Sequence, residues 1–161
     1  MILLTRIVVF SDTHRDIKGC IKVLDNLIGV SAVIHLGDCV ADAVELRKIY
    51  KDIPFYFVSG NNDIFSYYDA ETVVSFEDHN FFCTHGHTYS EEGLISKATA
   101  LNCKMALFGH THTSLIKTES GITLLNPGSI SRPRDDGPGY GIIEIEDGKI
   151  SSCIIKLKNL F

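Results

Sequence analysis

Five short clusters of Asp, His and Asn carry the chemistry that this sequence offers. They are Ser11-Asp12-Thr13-His14, Gly37-Asp38, Gly60-Asn61-Asn62-Asp63, Thr84-His85-Gly86-His87 and Gly109-His110-Thr111-His112. Carboxylate oxygen, imidazole nitrogen and amide oxygen, without thiolate, suit Mn, Fe, Zn, Co or Ni better than a structural cysteine–zinc site does. Two such ions, about 3.5–4 Å apart, need a bridging carboxylate and together activate water for in-line attack on phosphorus. Glycines beside the donors allow tight turns and close backbone approach.

The clusters follow short apolar runs. Ile7–Phe10, Ala32–Leu36 and Phe55–Val58 read as buried strands. Between them, Ile17, Cys20, Ile21, Leu24, Leu27 and Ile28 mark one helical face, with Asp16 as its expected cap. A second helix is predicted over about 41–50. Strand, helix, strand, helix, strand predicts parallel βαβ units. Further on, Val73–Phe76 and Phe81–Thr84 flank a hairpin turn over residues 77–80, and a helix over about 91–101 precedes strand Met105–Phe108. Ser114–Lys117 pairs with Ile122–Leu125, and Tyr140–Ile145 with Ile150–Leu157 around Asp147-Gly148. The expectation is one α/β domain over 1–161, with an early, partly parallel sheet and late antiparallel hairpins. Ligands bind at the carboxyl ends of strands in open α/β sheets, so the five clusters are expected to converge.

Bulk properties narrow the class. The 161 residues are 45% hydrophobic and 22% charged, a globular composition, with a net charge of -5. An acidic balance argues against holding long nucleic acid on a broad basic surface. A small phosphoester substrate stays compatible, because bound cations add local positive charge. The five cysteines contain no Cys-x-x-Cys pair and read as reduced thiols, with Cys39, beside Asp38, kept open. No apolar stretch has the ~20 residues that span a bilayer, and residues 1–6 do not form a signal peptide. The cytoplasm is the expected compartment, and a homo-oligomer stays open.

Asp-x-His, Gly-Asp, Gly-Asn-x-Asp, Gly-His and Gly-His-x-His, in this order, resemble the calcineurin-like metallophosphoesterase superfamily. The length and the segment Asn126-Pro-Gly-Ser-Ile-Ser-Arg-Pro-Arg134 resemble its small YfcE-type phosphodiesterase branch. The resemblance implies a four-layer α/β/β/α sandwich of two mixed sheets. It places Asp12, His14 and His112 on one metal and Asn61, His85 and His110 on a second, with Asp38 bridging. The implied cofactor is a pair of divalent ions, Mn first, with Ni, Fe, Zn, Co or Mg also compatible. The implied reaction is hydrolysis of a phosphodiester by a metal-bridging hydroxide, with Asp38, Asn61 and His87 as catalytic candidates. A phosphomonoesterase is the alternative. A non-catalytic metal-binding scaffold, like the retromer subunit that resembles this family, is another.

Several residues carry two readings. Asp12 and Asp38 are candidate helix caps as well as ligands, and Asn61 and Asn62 also suit turns with positive φ. Asp63 is either a support to the ligands or a turn residue. Arg132 and Arg134 either hold a substrate anion or belong to a solvated loop. His35 and His79 read as structural. Larger relatives carry His where this chain has Asn62, so an obvious general acid is missing there. His87 is the substitute, or leaving groups need little protonation.

Overall fold

The computed structural model describes residues 3–158. Met1, Ile2 and residues 159–161, which the expected domain and N-terminal segment include, lie outside the described residues. The elements run β1 (Leu4–Phe10), α1 (Lys18–Asn26), β2 (Ala32–His35), α2 (Val40–Ile49), β3 (Phe55–Phe57), β4 (Glu71–Phe76) and β5 (His79–Thr84). Then come α3 (Glu91–Ala100), β6 (Met105–Leu107), β7 (Ser114–Glu119), β8 (Ile122–Pro127), β9 (Gly139–Glu146) and β10 (Lys149–Lys156).

Two five-stranded sheets form, ordered β10-β9-β1-β2-β3 and β4-β5-β6-β8-β7. Alternation along the strands builds the layers, because successive side chains point to opposite faces. Ile7 and Val9 of β1 meet Phe81, Cys83, Met105 and Leu107 in a core between the sheets. Val8 and Phe10 point the other way, onto Cys20, Val23 and Leu24 of α1 and Leu46 of α2. On the far side, Phe82 and Ala106 pack against Leu94 and Ala98 of α3. The order helices, sheet, sheet, helix is the expected four-layer sandwich.

The late hairpins form as expected, β7 with β8 and β9 with β10, but they do not make an antiparallel sheet of their own. β9 pairs antiparallel with β1, so the last hairpin extends the first sheet. The second sheet has a parallel centre, β5-β6-β8, with antiparallel strands at its edges. Both sheets are therefore mixed. The reason is burial: β1 has partners on both sides and its last four residues, Ile7 to Phe10, are buried, so it needs a neighbour opposite β2. The β4–β5 turn is also tighter than expected. His79 already belongs to β5, where it pairs with Phe76.

α1 starts at Lys18 after Ile17, with no side-chain cap at that position. Asp16, one residue further upstream, accepts from the Lys18 N–H at 3.1 Å, the contact expected of a cap two residues ahead of its donor. α3 does carry a cap, Ser90, whose hydroxyl accepts from the Gly93 N–H.

Candidate metal centre

β1, β2 and β3 run parallel and end on the same side, as do β5 and β6. Asp12 and His14 follow β1, Asp38 follows β2, Asn61 follows β3, and His85 follows β5. His110 and His112 follow β6. Asp12, Asp38, His85 and His112 are buried, His14 is half-buried, and Asn61, His87 and His110 are exposed.

The buried atoms face one another. Asp12 Oδ1 lies 3.3 Å from His112 Nε2, 3.8 Å from His85 Nε2 and 3.9 Å from His14 Nε2. Asp38 spans the group, with Oδ1 3.4 Å from His85 Nε2 and Oδ2 3.8 Å from His14 Nε2. Two sets have donor atoms close enough for one ion each: Asp12, His14 and His112, and Asp12, Asp38 and His85. The His110 ring stands 5.3 Å from that of His85, centroid to centroid. Asn61 borders a cavity of about 480 Å³ together with His14, Asp38, His110, His112 and Arg132. His87 does not border that cavity. It lines a neighbouring one with Tyr89 and His110, and its ring is 5.6 Å from His85. A hollow of about 750 Å³ lies elsewhere, between α2 and residues 63–68, and contains none of the expected ligands.

Outer contacts set the tautomers. His85 Nδ1 donates to the Leu36 carbonyl at 2.7 Å, and His112 Nδ1 donates to the Arg132 carbonyl at 2.7 Å. A neutral ring protonated at Nδ1 presents a bare Nε2 lone pair to the centre, the form in which imidazole binds metal. Asp12 Oδ1 and His85 Nε2 are buried with no hydrogen-bond partner. Such orphaned atoms are costly unless a ligand takes them up. Oxygen and imidazole donors facing a common point fit a divalent cation.

The carboxylates and imidazoles of the site also act on one another. Burial alone would raise the Asp38 carboxyl, but His85 and the amide groups of Asn62 hold it well below the usual range. Burial would likewise lower the His85 imidazole, yet Asp38 and Asp12 keep it above its ordinary value. For His14 burial prevails and the imidazole falls below its ordinary value.

The backbone is bent to hold these groups. Asp12, His14, Asp38, His110 and His112 all have positive φ, between 46° and 70°. Left-handed backbone costs a non-glycine residue about 1–2 kcal/mol, and such strain gathers at functional sites. Close approach explains two glycines. A Cβ on Gly60 would overlap Asp38 Oδ1, and one on Gly109 would overlap Ser11 Oγ and sit 2.6 Å from Asp12 Oδ2.

Capping accounts for neither aspartate. Asp12 Oδ2 accepts from Ser11 Oγ and the His110 N–H, and α2 begins behind Cys39 without a side-chain cap. Asn61 and Asn62 do not have positive φ. Asn62 instead clamps Asp38, its N–H donating to Oδ1 at 3.0 Å and its Nδ2 to Oδ2 at 2.6 Å. Asp63 is a support: its carboxylate accepts from the N–H groups of Asp38, Cys39, Val40 and Gly60 at 2.7–3.0 Å.

Other supports escaped sequence reasoning. Ser129 and Ser131 donate to the Asp12 carbonyl, and Asn126 donates to the Gly109 carbonyl. The Asn-Pro-Gly-Ser run was the signal, since a polar stretch at the end of an apolar strand has to satisfy something buried. His35 lies behind the centre: Nδ1 accepts from the Gly37 N–H, so Nε2 carries the proton and donates to Thr13 Oγ1. Burial pulls its pKa down to about 4, and it stays neutral. His79 Nε2 contacts the Gly148 carbonyl, remote from these loops.

A family model described as a calcineurin-like phosphoesterase superfamily domain matches residues 5–148. The chain belongs to that superfamily. A phosphodiesterase of Methanocaldococcus jannaschii is 25% identical over 169 aligned positions, covering 94% of this chain and 99% of the relative. The expected kinship with small phosphodiesterases of this superfamily therefore holds, as does the expectation of a phosphoester hydrolase. A Streptococcus pneumoniae protein described as a predicted phosphoesterase superposes with a TM-score of 0.79. It is 27% identical and covers 96% of this chain and 90% of its own. Vacuolar Protein Sorting 29 of Cryptosporidium parvum superposes with a TM-score of 0.74 at 17% identity, covering 97% of this chain and 99% of its own, which is a likeness of fold. Among the described residues, no helix is long and apolar enough to cross a membrane.

Proposed function

We propose that this protein is a dinuclear, metal-dependent phosphodiesterase acting on small substrates. The observation that carries the reading is the pair of buried, partnerless atoms, Asp12 Oδ1 and His85 Nε2, at the meeting point of five loops. Asp12, His14 and His112 hold one ion. Asn61, His85 and His110 hold the other, and Asp38 bridges. The reach of Asp38 towards both His14 and His85 supports that assignment. Asp12, whose Oδ1 belongs to both buried donor sets, reinforces the link between the two sites. Bound divalent ions, Mn first, supply positive charge that activates water and neutralises the phosphate.

The chain's own groups do the rest. Asn62 and Asp63 fix the Asp38 loop, and the Arg132 carbonyl fixes His112, so the donors are held in place before substrate arrives. Asn62 has its amide committed to Asp38 and is no acid. His87 lines the neighbouring cavity together with His110, its ring 6.0 Å from that of His110. With weak protonation of the leaving group, diesters of good leaving groups react best. The continuous core between the sheets supports one domain spanning the chain, and the unpaired thiols support a reducing, cytoplasmic setting.

The test is a substrate panel on Mn-loaded protein. Bis(4-nitrophenyl) phosphate should turn over at least about tenfold faster than simple alkyl phosphomonoesters, with rates depending steeply on leaving-group pKa. A preference for monoesters would move the reading to a phosphomonoesterase. No hydrolysis of either by protein with both ions bound would leave the scaffold.

A further inference from the structure

Three arginines stand at the mouth of this centre in a chain whose net charge is -5. Arg132 and Arg134 border the 480 Å³ cavity, and Arg15 and Arg132 border an adjoining one of about 380 Å³. The two cavities share His14, Asn62 and Arg132, so they open into the same space. Among the described residues none of these arginines forms an ion pair, whereas Arg6, Lys97, Lys117 and Lys156 do.

Their positions are built rather than incidental. The Arg132 N–H donates to Ser129 Oγ while its carbonyl accepts from His112 Nδ1–H, and the Arg134 N–H donates to the His112 carbonyl. The loop carrying both arginines is thereby locked to a candidate ligand from two sides. Arg15 has positive φ, and its N–H is tied to the buried Asp42 carboxylate at 2.9 Å. The acidic group in the second cavity, Asp63, spends its charge on four backbone N–H groups. Both arginines are therefore left facing the second cavity without a counter-ion.

We propose that the cavity between Arg15 and Arg132 binds a second anionic group of the substrate, a carboxylate or a phosphate, while the scissile phosphate occupies the centre beside it. The substrate class is then a phosphodiester carrying another negative group near its scissile phosphorus. Guanidinium groups suit either anion, since their paired N–H donors match two oxygens at once. This rests on the phosphodiesterase reading above, and it adds what that reading lacks, a reason for substrate choice.

Three 4-nitrophenyl aryl phosphodiesters test it, with the second ring bare, carrying a carboxylate or carrying a phosphonate. With Mn-loaded protein, kcat/KM for a charged ring should exceed that for the bare ring by about tenfold or more, the scale of one charge-assisted hydrogen bond. The ratio should fall as salt rises. Arg15→Gln and Arg132→Gln should each shrink the ratio at least about threefold. The carboxylate and phosphonate arms tell which anion is preferred. Equal kcat/KM for all three rings, or a preference that survives both substitutions, would overturn the proposal. Non-hydrolysable diaryl phosphinates with the same rings, titrated calorimetrically, read the same ratio in Kd. If no diester is hydrolysed but the charged phosphinate binds tighter and the variants abolish the difference, the subsite stands and the phosphodiesterase reading falls.

Discussion

His14 Nε2 and His112 Nε2 stand 3.1 Å apart, although 98 residues separate them in sequence. With Nδ1 of His112 donating to the Arg132 carbonyl, two ring nitrogens are aimed at one point beside Asp12 Oδ1. Such a pair holds either a shared proton or a cation.

The pair predicts how metal and protons compete. Mn at about a hundred times its Kd should raise stability by roughly 2.7 kcal/mol for each ion bound, read as a higher Tm. His112→Ala should remove most of the gain from the ion that this residue holds. Since imidazole must be unprotonated to ligate, the gain should fade as the solution is made acid, and burial, which holds the His14 imidazole below its ordinary value, moves that loss to lower pH than for a free imidazole. A metal-dependent rise in Tm that is unchanged in His112→Ala would contradict the role given to this residue.

Asp63 predicts a structural loss with a functional echo. Asp63→Ala strands four backbone N–H groups around Asp38 and should cost roughly 3 kcal/mol or more, since charge-assisted bonds contribute about 1.5–3 kcal/mol each and water replaces some of them. Chemical denaturation measures it. Asp63→Asn keeps one oxygen and should fall between. A loss below about 0.5 kcal/mol, the scale of a surface change, would show that the loop holds itself.

The succession of elements along the chain and the convergence of donors were legible because apolar runs of four or five residues each ended in a polar cluster. Element ends such as Glu91–Ala100 against 91–101 differ by a single residue. The pairing of β9 with β1 was hidden, because a hairpin's sequence specifies its own two strands and not the third strand it joins. In the site, residues that point donors inward were legible by type. Those acting through their amides were not: Asn62 reads as a missing acid until its contacts with Asp38 are seen. Asp63 was undecided for the same physical reason, since its partners are backbone groups that every sequence has.

Asp135 predicts a pH-dependent anchor for the arginine loop. It accepts from the N–H and hydroxyl of Ser114 and from Lys156. Burial pushes its carboxyl up, but Lys156 and Ser114 outweigh it and hold the pKa at about 2, below the ordinary 3.8. A depressed pKa means stability present above 3.8 and lost as pH falls towards 2. Asp135→Asn should therefore lower stability by about 1–3 kcal/mol at neutral pH, and the gap to the unsubstituted protein should close between pH 4 and pH 2 (roughly the range between ordinary and shifted values). Parallel denaturation curves at several pH values check this, and a gap independent of pH would contradict it.

The most direct test of the dinuclear centre is elemental analysis of protein saturated with Mn at neutral pH, then freed of excess metal. The seven-ligand arrangement around Asp38 predicts close to two ions per chain for the unsubstituted protein. Asp38→Asn, whose neutral amide is a poor bridge between cations, should hold fewer than one and lose hydrolysis. A ceiling near one ion per chain in the unsubstituted protein, or an Asp38→Asn variant that still holds two, would contradict the account.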